Sequence, residues 1–469
     1  MDSSGDGSRR PLELLDDLHS YIKPRFARAE PRERARTFLH GLLSPVRRRT
    51  GWQLAAQGGE KYPDGMQRLL SSAHWNADHV RDDVRNFVLG YAAERDAALV
   101  IDQWRFRKRG SRSVGVHEHR TGKGRRTENV QRGLFLTYAS TSGRFLIDRE
   151  LYLPSSWTED ASRRTAARVP DEITHRTPSE LAAAMVARTF IARTPARWVT
   201  ATEEFAADQR LRTFLERNQV WFVLGWSPDR VLPFAGDGRA QQHTAATAAG
   251  LLPEQAWVPG RELDGVSGTH LWARLPTPPP GPGRLAHWLL LRRGPAGHGD
   301  LRSYLCGSSP ATSLAELARV ASLAEDNVAV LASACENTGL DQYEVRHWTS
   351  WYRYTTLSLA AHNCVALAGD PRDWTPPEPA RPEDPPRPRR AAGPVRRTPS
   401  ARTPSANTKE EQPCPQHRQP APRRPSTPCR PCATRSAPTS NSGESTVPPR
   451  PKSYHWPVCR NASAAESGH

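Results

Sequence analysis

Long apolar runs are missing from this 469-residue chain. No window holds the roughly 18 uncharged apolar residues that span a bilayer, so a transmembrane helix is not expected. The opening MDSSGDGSRR has no apolar segment of the kind a secretory signal carries, and a cytoplasmic protein without membrane contact is expected. Cysteine is sparse and odd in number: Cys306, Cys335, Cys364, Cys414, Cys429, Cys432 and Cys459. Their irregular spacing excludes a disulfide framework and favours reduced thiols. There is no Gly-rich phosphate loop and no G-x-S-x-G elbow. His117 and His119 on one strand, with His243 and His270 elsewhere, have no spacing that defines a ligand set. Acidic residues are also outnumbered, 49 against 66 Lys and Arg, for a net charge of +17. That balance points to phosphate-rich or otherwise acidic partners.

The length leaves room for about three domains. Residues 10–93 carry helical periodicity: PDGMQRLLSSAHWNADHVRDDVRNFVLGYAAE puts Met66, Leu69 and Leu70 on one face, and Asn76 has the position of an N-cap. A helical N-terminal domain is expected there. From 94 to 225 short β-rich runs alternate with helical ones: ALVID, SVGVHEH, RGLFLTYAS, RFLIDRELYLP, then ELAAAMVARTFIA, RWVTAT, LRTFLERN and VWFVLGW. This is a mixed α/β core. Residues 226–300, turn-rich and containing PTPPPGPG, interrupt it as an inserted β-leaning region. Two long helices follow within 301–369. About half of the 43 prolines lie beyond residue 370, where long apolar residues almost vanish. A disordered Pro/Arg-rich tail over 370–469 is expected, because such a segment buries too little surface to offset its chain entropy.

Residues 97–110, AALVIDQWRFRKRG, drive five apolar residues into Asp102 and then into a run of cations. With this stretch, GWQLAAQGGEKYPDGMQRLLSSAHWNADHVRDDVR, GLFLTYAS, RFLIDRELYLPSSWTED, WVTATEEF, SYLCGSSPATSLAELARVA and GLDQYEVRHWTSWYRYTTLSLA are similar to the DDE transposases of bacterial insertion sequences. The likeness runs over about residues 22–365 in unbroken order, but not into the tail. It implies an RNase H-like core with a β-rich insertion, double-stranded DNA (the ends of the element) as partner, and a homodimer on DNA as a candidate assembly. It also implies two Asp and one Glu holding Mg²⁺, which requires oxygen ligands in near-octahedral array. Paired metals would activate the attacking hydroxyl and stabilise the leaving oxygen.

The family's first Asp falls on Asp102. Its second falls within WVTATEEF, where the expected position holds Thr202; the adjacent Glu203 is a candidate displaced ligand only if a bulge or turn redirects it. The Tyr-Arg-Glu-Lys signature, counted back from GLDQYEVR, puts its Arg, Glu and Lys on Ala324, Val328 and Cys335. Glu325, near Val328 on the helix, is the other candidate displaced ligand, against the plainer reading of a solvated helix carboxylate. Two replaced carboxylates out of three favour a transposase-family protein that has lost catalysis. The alternatives are an active Mg²⁺-dependent strand-transfer enzyme using Asp102, Glu203 and Glu325, and the product of a decaying gene with no stable role.

The cations remain as candidate DNA contacts. Arg105, Arg107, Lys108, Arg109, Arg112, Lys123, Arg125 and Arg126 gather around one strand pair, and Arg346, Trp348, Trp351 and Arg353 interleave charge with rings. Arg and Lys neutralise phosphates, and exposed aromatics stack on unpaired bases. Trp348 and Trp351, three apart on a helix, are equally read as a packing stripe. Cys414-x2-His417 with Cys429-x2-Cys432 has zinc-like spacing, but the surrounding coil has no apolar residues to build a zinc knuckle.

Overall fold

The computed structural model describes residues 10–375, apart from 122–125, 207, 236–239, 267, 279–283 and 296. The expected tail, except for 370–375, and the Cys/His spacing within it lie outside the described residues, as do Lys123, Arg125 and the side chain of Arg126.

Five helices come first: α1 Pro11–Ile22, α2 Ala29–Leu42, α3 Gly51–Gln57, α4 Asp64–Ser71 and α5 Ala77–Ala92. The Asn76 side chain accepts from the amides of Asp78 and His79 and starts α5 as expected. These helices do not form a core of their own. Leu14, Leu18, Phe38, Leu39 and Met66 are packed in one cluster with Trp351, Tyr354 and Leu357 from the last helix, and the described residues fall within a single compact unit. The expected separate N-terminal domain is therefore continuous with the C-terminal helices.

The middle of the chain comprises β1 Ala98–Arg107, β2 His117–Thr121, β3 Arg126–Ser140, β4 Gly143–Leu151, α6 Ser155–Thr158, α7 Ala161–Ala167, α8 Pro178–Ile191, β5 Trp198–Ala201, α9 Glu203–Ala206, α10 Gln209–Arg217 and β6 Trp221–Trp226. Thr177 and Glu180 form a capping box at the start of α8. Then come β7 Val231–Ala235, β8 Ala240–Thr244, α11 Ala245–Leu251, β9 Val258–Pro259, β10 Leu271–Thr277, β11 Ala286–Gly294 and β12 Gly297–Ser308. Two helices close the described chain, α12 Leu314–Thr338 and α13 Trp348–Ala368.

β4 pairs antiparallel with β3, β3 antiparallel with β1, β1 parallel with β5, and β5 parallel with β6. The strands of the inserted region extend this sheet: β12 pairs antiparallel with β6, and β11, β10 and β9 follow outward. The insertion thus continues the core, with β7 and β8 as a separate two-stranded sheet.

Alternation along β1 sorts its side chains between two faces. Leu99 and Ile101 join Val199, Ala201, Met185 and Val186 on the α8 side. Ala98 packs with Trp198, Leu317 and Ala321, and Val100 with Ala324, on the α12 side. Asp102 continues the second series, at the end where β1 and β5 run in parallel.

Candidate metal and nucleic-acid site

Asp102 is 5% exposed. Its Oδ1 accepts the Gln103 backbone N–H at 2.7 Å, and its Oδ2 faces the Asn327 amide nitrogen at 3.4 Å. Burial disfavours the charged form and pushes its pKa up to about 6, against the opposing pull of these two donors.

The parallel register sets Ile101 beside Ala201, so the next residue after β5, Thr202, lies beside Asp102 where the β1–β5 pairing ends, with Asp102 itself in mid-strand in β1 rather than at the expected strand end. Trp198 and Val199 join opposite clusters, and by alternation Thr202 belongs to the same face as Asp102. The chain then turns directly into α9, which leaves Glu203 exposed at its start. Glu204, which sequence reasoning passed over, meets Gln103, Arg105 and Arg132. Its carboxylate accepts from the Gln103 amide and pairs with Arg105 at 3.1 Å and Arg132 at 3.4 Å. Gln103 and Arg105 alternate with Asp102 along β1, so Glu204 serves the other face of the sheet. It reaches Asp102 only as a weak charge effect, the smaller influence raising the Asp102 pKa beside burial.

The helix α12 lies across β1, β5 and β6. Its inner face carries Leu317, Val320, Ala321, Ala324, Asn327, Leu331 and Ala334, all buried. Val328, the position counted for the family's Glu, is 52% exposed. The residue opposite Asp102 is Asn327, fully buried, one position earlier. Ala324 packs against Val100, and Cys335 lies in the core with Leu331. Glu325 is turned elsewhere: its carboxylate accepts from the Tyr304 hydroxyl and pairs with Arg292. It acts as a counter-ion for the inserted β-strands, and neither it nor Glu203 converges on Asp102. Residues 20–264, more than half the chain, match the family model described as DDE superfamily endonuclease.

The chain belongs to the DDE superfamily endonucleases. No curated protein matches it.

For a DDE endonuclease the donor set here does not fit a two-metal centre. The positions on β1, after β5 and on α12 that converge present one carboxylate, one hydroxyl and one amide: Asp102, Thr202 and Asn327. Among the described residues no group of three or more His, Cys, Asp or Glu side chains is placed to hold a metal ion. Glu204, two residues after Thr202, already has two guanidinium partners. The Oδ1 of Asn327 and the hydroxyls of Thr137 and Thr200 are buried without a hydrogen-bond partner. Thr137 lies beside Val100 in the β1–β3 register and Thr200 beside it in β5. The α12 side of this sheet thus has a polar interior around Asp102. No helix among the described residues is long and apolar enough to cross a membrane.

The cations of this DDE-family chain divide into structural and exposed groups. Three candidate contacts are corrected by burial. Trp351 is fully buried and donates to the Tyr343 hydroxyl. Arg353 donates to the carbonyls of Leu70, Ala73 and Trp75. Lys108 lies 3.4 Å from the Tyr343 ring centre and donates to its carbonyl, and burial lowers its pKa to about 8. Arg105 and Arg107 are exposed but paired, with Glu204 and with Glu128 at 3.2 Å. Arg109, Arg112 and Arg346 are exposed and have no salt bridge among the described residues. The Val114 amide donates to the Arg346 carbonyl at 3.0 Å, which joins the loop after β1 to the segment before α13. Arg168, missed in the sequence, stands at the end of α7 in a left-handed conformation. Its charge and that of Arg346 both lower the pKa of His347, after the larger effect of burial. One basic surface therefore unites segments more than 200 residues apart. The only sequence signal for Arg168 was its membership of a cluster of arginines.

Proposed function

We propose that the chain is an insertion-sequence transposase whose RNase H-like core binds double-stranded DNA and has lost strand cleavage. The pairing order β4–β3–β1–β5–β6, with one antiparallel pair on each side of β3 and parallel pairs from β1 onward, supports the RNase H-like reading. The observation that carries the loss of catalysis is the contact of Asp102 with Asn327. An amide has taken the place from which the helix would present a carboxylate. A lone buried acid with a raised pKa does not hold a hard divalent ion against water while a second ion sits about 3.5–4 Å away. The exposed, unpaired Arg109, Arg112, Arg168 and Arg346 support DNA contact through phosphates.

Supercoiled plasmid incubated with the protein and Mg²⁺ tests the reading, beside Asp102→Asn. Wild type and variant are expected to leave the plasmid equally intact while both retard it in a gel. Nicking by wild type that disappears in the variant would restore the enzyme reading.

A further inference from the structure

On the face of the sheet opposite Asp102, two arginines stand directly across from each other. Arg105 on β1 is the register partner of Arg132 on β3. Like charges placed directly opposite on neighbouring strands are destabilising, so folding alone does not favour this pair. Both turn toward one point. Arg105 donates to the two carboxylate oxygens of Glu204 at 3.1 and 3.3 Å, Arg132 pairs with the same group at 3.4 Å, and the Gln103 amide also donates to it. The two guanidinium groups give this clamp two positive charges, of which one carboxylate cancels one. Arg132 is the fixed jaw. Its side chain is 16% exposed, its guanidinium lies 5.2 Å from the Tyr152 ring centre, and its Nε is buried without a hydrogen-bond partner. Glu204 is the movable part. The backbone of α9 lies close against Gly225 on β6, where an added Cβ would meet the Glu203 amide nitrogen at 2.5 Å. The Glu204 side chain, 41% exposed, can swing outward without shifting that backbone.

We propose that Gln103, Arg105 and Arg132 bind a phosphomonoester dianion, and that Glu204 holds the clamp closed until that ligand displaces it. This goes beyond the reading of duplex DNA binding and does not rest on it. A phosphomonoester carries about −1.5 to −2 charge at neutral pH and presents three acceptor oxygens, enough for both guanidinium forks and the amide. A phosphodiester has a single charge, no more than the carboxylate it would replace. Because Glu204 is tethered beside the clamp, it competes at high effective concentration, and an anion of equal charge does not dislodge it. The same phosphomonoester chemistry occurs at the 5′ end of a DNA strand and on a mononucleotide, and oligonucleotides distinguish the two sources.

The test is isothermal titration calorimetry of the full-length protein with methyl phosphate and dimethyl phosphate, at about pH 7.5 so that the monoester is doubly charged. Wild type is expected to bind the monoester more tightly than the diester. Glu204→Gln and Glu204→Ala should each tighten methyl phosphate about tenfold, the combined size of two exposed ion pairs. Arg132→Lys, added to Glu204→Gln, keeps the charge but loses the fork and removes most of that binding, with a cooperative thermal melt to show that the protein folds. A 5′-phosphorylated single strand that binds Glu204→Gln better than its 5′-hydroxyl twin assigns the site to strand ends; equal binding of the two strands beside tight methyl phosphate assigns it to mononucleotides. Either result upholds the clamp. Methyl phosphate affinity unchanged by both Glu204 variants, equal binding of monoester and diester by Glu204→Gln, or undiminished binding after Arg132→Lys overturns it. Retardation of duplex DNA is a separate measurement, and its failure leaves the clamp intact.

Discussion

Replacing Asp102 with Asn is expected to stabilise the protein above about pH 6 and to change little near pH 4. In the folded protein burial raises the Asp102 pKa from 3.8 to about 6. Below the lower value the group is protonated in both states and costs nothing. As pH rises between the two, the unfolded chain releases its proton first, so stability falls, and the full penalty is present once the folded group ionises. At about 1.4 kcal/mol per unit the penalty reaches ~3 kcal/mol. The substitution Asp102→Asn removes that penalty and keeps an oxygen for the Gln103 amide. The NH₂ it introduces can meet the Asn327 Oδ1, which has no partner in the wild type. The assay is thermal unfolding of both proteins at about pH 4 and pH 8, read as a difference between variants so that the general charge of a basic chain cancels. The expected result is a gain of several degrees for the variant at the higher pH only. A functioning metal ligand behaves in the opposite way: wild type gains stability with Mg²⁺ by mass action and the variant does not. A wild type more stable than Asp102→Asn in millimolar Mg²⁺ would refute the reasoning.

Three further outcomes follow from the same geometry. Arg353→Met leaves the carbonyls of Leu70, Ala73 and Trp75 without their donor. It should lower stability by ~2–4 kcal/mol in a denaturant titration, without changing the salt slope of DNA binding. Glu325→Gln weakens the Arg292 pair and should cost ~1–2 kcal/mol by the same titration, with no effect on plasmid integrity. Arg109→Ala and Arg346→Ala should each reduce the slope of log affinity against log salt by about 0.9, because each removes one phosphate contact.

The strand that carries Asp102, the cap at Asn76 and both C-terminal helices were legible in the sequence, because each depends on local pattern; that the strand runs on through Asp102 to Arg107 was not. The site was legible only in part. On α12 the choice between Asn327 and Val328 is one of helical phase: each lies three or four residues from both Ala324 and Leu331, so spacing alone does not decide. Hydrophobicity favours burying Val, yet the structure buries Asn327 and exposes Val328. A buried amide needs a polar partner, and that partner is Asp102, 225 residues earlier in the chain. Glu204 was overlooked because Glu203 is the acid nearer to Thr202 in sequence; the turn into α9 carries the Glu204 carboxylate to Gln103 and Arg105. Arg353 and Trp351 read as a binding pattern because their burial comes from distant segments, Leu70, Ala73 and Trp75 around Arg353 and β3 at Gly133 beside Trp351, which no local window contains. The insertion was visible as a break in pattern, but its strands' pairing with β6 is a long-range contact that composition does not encode.

Divalent-metal binding tests the central claim most directly. Mn²⁺, titrated as a paramagnetic stand-in for Mg²⁺, should find no stoichiometric site in wild type, whereas the double variant Thr202→Asp, Asn327→Glu should acquire one that Asp102→Asn then abolishes. Stoichiometric binding by the wild type, lost on Asp102→Asn alone, would contradict the account.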